Sequence, residues 1–159
     1  QLIEKHNKFE SSILIGLQPR GAFLCKRVLE KLNFLLPTID IKSGNLDISF
    51  YRDDLMRRDH PIEPDIMDIN LSFEDKNIIL VDDVLFTGRS IRSALDAILS
   101  FGRPKTVELL TLINRRFSRH LPIEPTYVGK TIDALSEEKV IVEWKEVHGV
   151  DRVLMKKNT

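Results

Sequence analysis

The sequence holds one cysteine, Cys25, and one tryptophan, Trp144, among 159 residues. A lone cysteine excludes an intrachain disulfide framework and fits a reducing compartment, so a cytoplasmic setting is the expectation. No apolar run approaches the roughly 18 residues of a helical membrane span, so no membrane partner is expected. Net charge is missing too: 24 Lys and Arg balance 24 Asp and Glu, which confines any nucleic-acid contact to a local patch. His6, His60, His120 and His148 have neither metal-ligand spacing nor a nearby cysteine, and each reads as a surface residue. Repeats, low-complexity tracts and charge blocks are absent.

What remains is the composition of an ordinary globular chain, long enough to bury a core within one domain spanning 1–159. It opens on Gln1 rather than Met, and Leu2-Ile3 read as the tail of a helix, so a preceding N-terminal segment is expected. Residues 12–17 read as a strand, and Arg20 to Asn33 as a helix with Leu24, Val28 and Leu32 on one face and Cys25 beside them in the core. Leu46 to Tyr51 alternates apolar and polar residues, which predicts a half-buried strand. Residues 52–75 are highly charged with little apolar pattern, which predicts a long functional or flexible loop. Asn77 to Val81 is a continuous apolar strand of the kind found inside parallel sheets. A helix with Ile91, Ala94, Leu95, Ile98 and Leu99 on one stripe follows, stopped by Gly102 and Pro104. Val107 to Ile113 is a further apolar strand; 126–128, 140–144 and 152–155 are short and β-prone, and Trp144 suits packing or an interface. The alternation of strand and helix predicts an α/β fold, a mostly parallel sheet with helices on both faces and ligands at the carboxyl ends of its strands.

One such end carries the chemistry. Ile78 to Val81 runs into Asp82 and Asp83, and after Val84, Leu85 and Phe86 the stretch Thr87-Gly88-Arg89-Ser90 opens a helix. Ionised carboxylates only accept hydrogen bonds, so vicinal sugar hydroxyls are natural partners. A helix start offers unpaired N–H groups and a positive dipole end to a phosphate. Taken singly, an acid pair also suits a solvated turn, a metal pocket or a phosphoacceptor, and Thr-Gly suits a plain cap. No Walker loop is present, because Gly-Lys-Ser/Thr is absent.

The combination of apolar strand, Asp82-Asp83 and Thr87-Gly88-Arg89-Ser90 resembles the phosphoribosyl-pyrophosphate motif of type I phosphoribosyltransferases. Gly16-Leu17-Gln18-Pro19-Arg20-Gly21 is similar to that family's pyrophosphate loop, and Asp47-Ile48-Ser49-Phe50-Tyr51-Arg52-Asp53-Asp54 to the segment leading into its flexible catalytic loop. Arg103-Pro104, Leu121-Pro122-Ile123 and Tyr127-Val128-Gly129-Lys130 resemble one branch, the pyrimidine-operon attenuation regulators with uracil phosphoribosyltransferase activity.

The resemblance implies the type I phosphoribosyltransferase fold with a small hood, and transfer of phosphoribosyl from phosphoribosyl pyrophosphate to uracil, giving UMP and pyrophosphate. It implies that Asp82 and Asp83 hold the ribose hydroxyls, with Val84, Leu85 and Phe86 completing the segment against the substrate. Thr87, Gly88, Arg89 and Ser90 would cradle the 5-phosphate, and Gln18, Pro19, Arg20 and Gly21 the pyrophosphate. Magnesium would bridge substrate oxygens near Asp82 and Asp83, with no dedicated protein ligand set. Arg52 would close over the site, while Arg57 and Arg58 read as solvated charges. A Gln18–Pro19 bond can be cis at little cost, with trans the default. Val128, in the hood, and Asn114-Arg115 would meet the base; the family commonly has Asp-Arg where this chain has Asn114-Arg115, which leaves a hypoxanthine-type enzyme as an alternative. The branch also implies a messenger RNA leader as partner, contacted by Arg116, Arg119 and Lys130 beside Arg115 and His120, and hence a second alternative, an attenuator with negligible turnover. A homodimer or larger homo-oligomer is the expected assembly.

Overall fold

A computed structural model describes residues 1–48, 66–67, 71–135 and 137–157 of the chain. The expected roles of Arg52, Asp53, Asp54, Arg57, Arg58 and His60 fall outside the described residues.

The main sheet has six strands: β1 (Ser12–Leu17), β2 (Lys42–Leu46), β3 (Ile66–Met67), β4 (Asn77–Leu85), β5 (Thr106–Arg116) and β6 (Tyr127–Asp133), in the order β3-β2-β1-β4-β5-β6. All neighbours are parallel except β3, which runs antiparallel to β2. Successive parallel strands add leftward from β1 to β2 and rightward from β4 to β6. The order therefore reverses between β1 and β4, which makes the crevice outside their carboxyl ends the place for a ligand in a sheet of this kind.

Helices cover both faces. On one side, α1 (Leu2–His6) and α2 (Arg20–Leu35) pack on Leu14, Ile79, Val81 and Ile113, joined by a hairpin of β7 (Glu138–Glu143) and β8 (Arg152–Lys157). Trp144, between β7 and the short α4 (Lys145–His148), is buried against the Phe23 ring of α2, and Arg27 lies over its indole at 4.9 Å. Arg27 also bonds Glu146 and Asp151 at 2.7 Å each, which anchors the hairpin to α2. On the other side, α3 (Arg89–Leu99) sets Ile91, Ala94, Ala97 and Ile98 against Ile13, Ile15, Ile78 and Leu80. Apolar positions on opposite sides of β1, β4 and β5 thus feed two separate cores, as continuous apolar runs require. Cys25 is buried on α2, and burial pushes its thiol up to about 12, consistent with a core residue.

The second strand lies at Lys42–Leu46, upstream of Leu46 to Tyr51; Asp47 and Ile48 are outside it although Ile48 is buried, and residues 49–51 are not described. Its own sequence, Lys-Ser-Gly-Asn-Leu, has no β pattern and is held by parallel pairing to β1 from Ile13↔Lys42 to Leu17↔Leu46. Leu99 is 65 % exposed, and Ala97 takes the core position because the helix turns it toward the sheet.

His6 is no surface residue: its side chain is 3 % exposed. Its Nδ1 meets Ser12 Oγ at 2.8 Å and its Nε2 meets Glu108 Oε2 at 3.1 Å, while the Tyr127 hydroxyl donates to that same carboxylate at 2.7 Å. The Lys5 ammonium completes the group at 2.8 Å from Glu108 and, with Tyr127 and His6, holds the Glu108 carboxyl below its usual range against the effect of burial. His6→Ala leaves the Ser12 hydroxyl without this partner and unpins α1. We expect a loss of about 1–3 kcal/mol in urea unfolding; a change within error would mean that α1 is held by its apolar contacts alone.

Candidate functional site

The acid pair is not past the end of its strand, as the sequence suggested, but inside it. β4 pairs with β1 only to Gly16↔Val81, yet with β5 as far as Leu85↔Asn114. Asp82 and Asp83 therefore sit where one neighbour has ended and the other continues. The face alternation also slips here. Ile78 and Leu80 join the α3-side core and Ile79 and Val81 the α2-side core, but Val84 falls on the α2 side and Leu85 on the α3 side. An undisturbed strand would place Val84 with Leu80. The slip falls at the two acids, and both line one cavity of about 330 Å³ with Gln18, Pro19, Arg20 and Ser90.

α2 begins directly beneath the acids. A Cβ on Gly21 would lie 2.3 Å from the Val81 carbonyl oxygen and 3.0 Å from Asp82 Cα, so only glycine allows this approach. The Gln18–Pro19 peptide is cis, where trans was the default, and Gln18 N–H donates to the Leu46 carbonyl at 2.9 Å. Arg20 is exposed at the cavity and its charge favours ionisation of both acids. Burial outweighs it: Asp82 is pushed up to about 7, by desolvation and then by the Asp83 charge, and Asp83 is raised by desolvation. Asp83 N–H donates to Asp82 Oδ1 at 2.9 Å, while Asp83 Oδ2 is buried without a partner. An orphaned carboxylate oxygen in a cavity is an acceptor awaiting a donor or a cation.

The second half of the site adjoins it. A cavity of about 420 Å³ runs from Asp82 and Val84 past Leu85, Phe86 and Thr87 to Gly88, Arg89 and Ser90. Gly88 caps α3 with φ 91°, a left-handed conformation, and a Cβ there would come within 3.3 Å of Ile123. The first turn of α3 thus faces the cavity with N–H groups that have no partner within the helix. The Thr87 carbonyl points away and accepts from the N–H groups of His120 and Leu121, at 3.0 and 3.2 Å. Acceptors for hydroxyls and donors for an anion stand side by side, joined through Asp82 and Ser90, which line both cavities.

Of the residues expected near a base, some gather and one does not. Asn114 and Arg115, at the end of β5, are both buried. Arg115 lies 3.9 Å from the centre of the Phe86 ring and donates to the Leu135 carbonyl at 2.9 Å. Phe86 remains 37 % exposed, so its ring offers a flat surface backed by a cation. Val128 lies in the outer strand β6, pairs with Thr111, and lines a separate, largely apolar cavity of about 530 Å³ with α1 and α2. The expected RNA surface also divides. Arg116 is exposed but engaged by Asp133 at 2.6 and 2.8 Å, Lys130 and His120 are exposed, and Arg119 folds inward onto Asn114.

Among the described residues, no three His, Cys, Asp or Glu side chains come together as a metal cage. The acid pair with its orphaned oxygen fits a cation that keeps water and substrate oxygens, as Mg²⁺ does. Sequence reasoning missed Glu108, Ser12 and Tyr127 as a polar group and the inward turn of Arg119; only the pairing of distant strands brings these together.

Residues 1–146 match the phosphoribosyl transferase domain family. Among curated relatives, the chain is 41 % identical over 157 residues to Bifunctional protein pyrR of Enterococcus faecalis, covering 99 % of this chain and 86 % of that protein. It is 41 % identical over 159 residues to Bifunctional protein PyrR of Ligilactobacillus salivarius, covering 99 % and 88 %. Among solved structures, a hypoxanthine phosphoribosyltransferase of Staphylococcus aureus superposes with a TM-score of 0.64 at 20 % identity, over 92 % of this chain and 77 % of that one. A purine phosphoribosyltransferase of Pyrococcus horikoshii follows with 0.56 at 23 % identity, over 83 % and 78 %. At such identities these structures speak for the fold alone.

Proposed function

Since the chain belongs to the phosphoribosyl transferase domain family and, within it, to the PyrR proteins, we propose that it is a single-domain uracil phosphoribosyltransferase that also senses UMP and binds a pyrimidine-leader RNA. The observation that carries the transferase reading is the adjacency of the acid pair, half-buried Asp82 and buried Asp83, to the N-terminus of α3 across adjoining cavities. Sugar hydroxyls donate to Asp82 and Asp83, the 5-phosphate takes N–H groups of Thr87 to Ser90, and Arg20 with the Gln18 to Gly21 backbone meets the pyrophosphate. The pair of carboxylates favours the positive charge that develops on the sugar as pyrophosphate leaves, the same kind of cation met in glycoside hydrolysis. Mg²⁺ belongs at Asp82 and Asp83, where it would neutralise pyrophosphate charge. The base lies toward Phe86, Asn114 and Arg115. Arg116 and Lys130 are the exposed cations left for RNA, and a homodimer or larger assembly is part of the same proposal.

Labelled phosphoribosyl pyrophosphate with Mg²⁺ and each of uracil, hypoxanthine and orotate tests the reading. UMP from uracil is the expected product; IMP in its place would make this a hypoxanthine-type enzyme. A filter-binding titration against leader RNA is expected to show UMP-dependent binding that weakens with salt. Binding that is absent or indifferent to salt would remove the regulatory half.

A further inference from the structure

Arg119 reads in the sequence as a surface charge, and the structure folds it inward. Phe117, directly after β5, has φ 67°, a left-handed backbone that bulky residues rarely adopt. The chain turns back there, and the Ser118 hydroxyl donates to the Ala134 carbonyl at 3.2 Å. Arg119 consequently returns over the end of its own strand. Its Nη2 donates to Asn114 Oδ1 at 2.6 Å and its Nη1 to the Phe86 carbonyl. Its side chain is 16 % exposed, Glu124 stands 3.9 Å from its Nε, and that Nε is buried without a hydrogen bond. A guanidinium placed this way is poorly arranged for a phosphate in solution and well arranged to hold two acceptors at a fixed separation.

Those acceptors flank the place assigned to the base. The two ends of a side-chain amide differ little in shape but are opposite in hydrogen bonding. Arg119 has only donors, so the Asn114 oxygen must face it. What Asn114 has left for a ligand is its pair of N–H donors. A carboxylate at the same position would accept only, and would be drawn into an ion pair with Arg119.

We propose that Arg119 is a positioning residue for base recognition: by holding Asn114 Oδ1 and the Phe86 carbonyl, it makes Asn114 a hydrogen-bond donor to an acceptor atom of the bound base, a carbonyl oxygen or an unprotonated ring nitrogen. The inference rests on the phosphoribosyl-site reading above. It gives the departure from the family's usual Asp a physical function, and it removes Arg119 from the RNA surface.

The test is calorimetric titration with UMP and, separately, with ribose 5-phosphate, which lacks the base. Arg119→Ala is expected to weaken UMP about tenfold while leaving ribose 5-phosphate within about twofold. Arg119→Lys, which keeps the charge and donors, is expected to recover part of the loss. On an Asn114→Ala background, Arg119→Ala should change UMP affinity less than about twofold, because the cycle removes the group through which Arg119 acts. Equal weakening of both ligands, or additive losses in the double variant, would overturn the role. If Arg119→Ala does not fold, Arg119→Lys and Arg119→Gln are read in the same way against both ligands. A chain that binds neither ligand overturns the site reading itself, whereas one that binds ribose 5-phosphate without gaining from the base of UMP overturns this inference alone.

Discussion

Asp83→Asn is expected to lower kcat by about 10²–10³-fold, the range seen when a group aimed at a developing charge is removed. Asp83 is 6 % exposed and its Oδ2 has no partner, so its capacity to accept is held for a ligand. An amide of the same shape brings N–H groups where sugar hydroxyls also donate, and no charge where the sugar becomes cationic. Retention of more than a tenth of the turnover would remove Asp83 from the mechanism. Burial raises both acids, so a proton on the pair persists above the ordinary carboxylate range, and kcat/KM should climb with pH up to about 7 for Asp82. Stability runs the other way. The folded chain binds the Asp82 proton more tightly than the unfolded chain, so stability falls as pH rises from about 4 through about 7, and the full cost stands at pH 8. Asp82→Asn is therefore expected to be about 1–3 kcal/mol more stable than the unchanged chain at pH 8, with Asp82 half-buried and the effect discounted accordingly, and no more stable near pH 4. Urea melts at the two pH values decide it, and an equal gain at both would contradict the burial account.

Gly21→Ala is the second large effect. The added methyl meets the backbone of β4, the Val81 carbonyl oxygen at 2.3 Å and Asp82 Cα at 3.0 Å, and neither can swing aside. α2 must retreat from the sheet, taking Gln18, Pro19 and Arg20 with it. Expected outcomes are a loss of about 2–4 kcal/mol in chemical denaturation and a KM for phosphoribosyl pyrophosphate raised at least about tenfold. Gly149→Ala is the comparison: φ is 73° there, but nothing lies within 4 Å, so only backbone strain of about 1 kcal/mol is expected. Equal losses in the two variants would show that close packing at Gly21 is not what matters.

Much of this architecture was legible from residue pattern. The apolar runs at 12–17 and 78–81 became the strands on either side of the topological switch, and the Asp-Asp and Thr-Gly-x-Ser elements came together as expected from one local stretch. Local pattern fails where pairing partners decide. Lys42 to Leu46 is a strand because β1 lies beside it, not because of its own residues. The extension of β4 through Leu85 follows from β5, which continues alongside it. His6 and Arg119 are polar residues in polar segments, and nothing short of the three-dimensional path tells that Glu108, 102 positions from His6, and Asn114 lie within reach. Val128, assigned to the base by likeness, lies in the outer strand β6, where the β-prone run 126–128 had pointed to a strand.

The two N–H groups that the Thr87 carbonyl accepts, from His120 and Leu121, have a consequence for how the surface can be altered. The stretch 117–123 has the look of a free connection: it runs between strands, with Phe117 75 % exposed. Such stretches are the usual places to splice in a tag, a reporter or a new chain terminus. Here the connection is the back wall of the proposed phosphate cradle, with Leu121 and Ile123 against Gly88. Lengthening it would be read at the anion, some thirty residues away along the chain, whereas the turn at Gly149, with open space around it, is the better seam for cutting and joining.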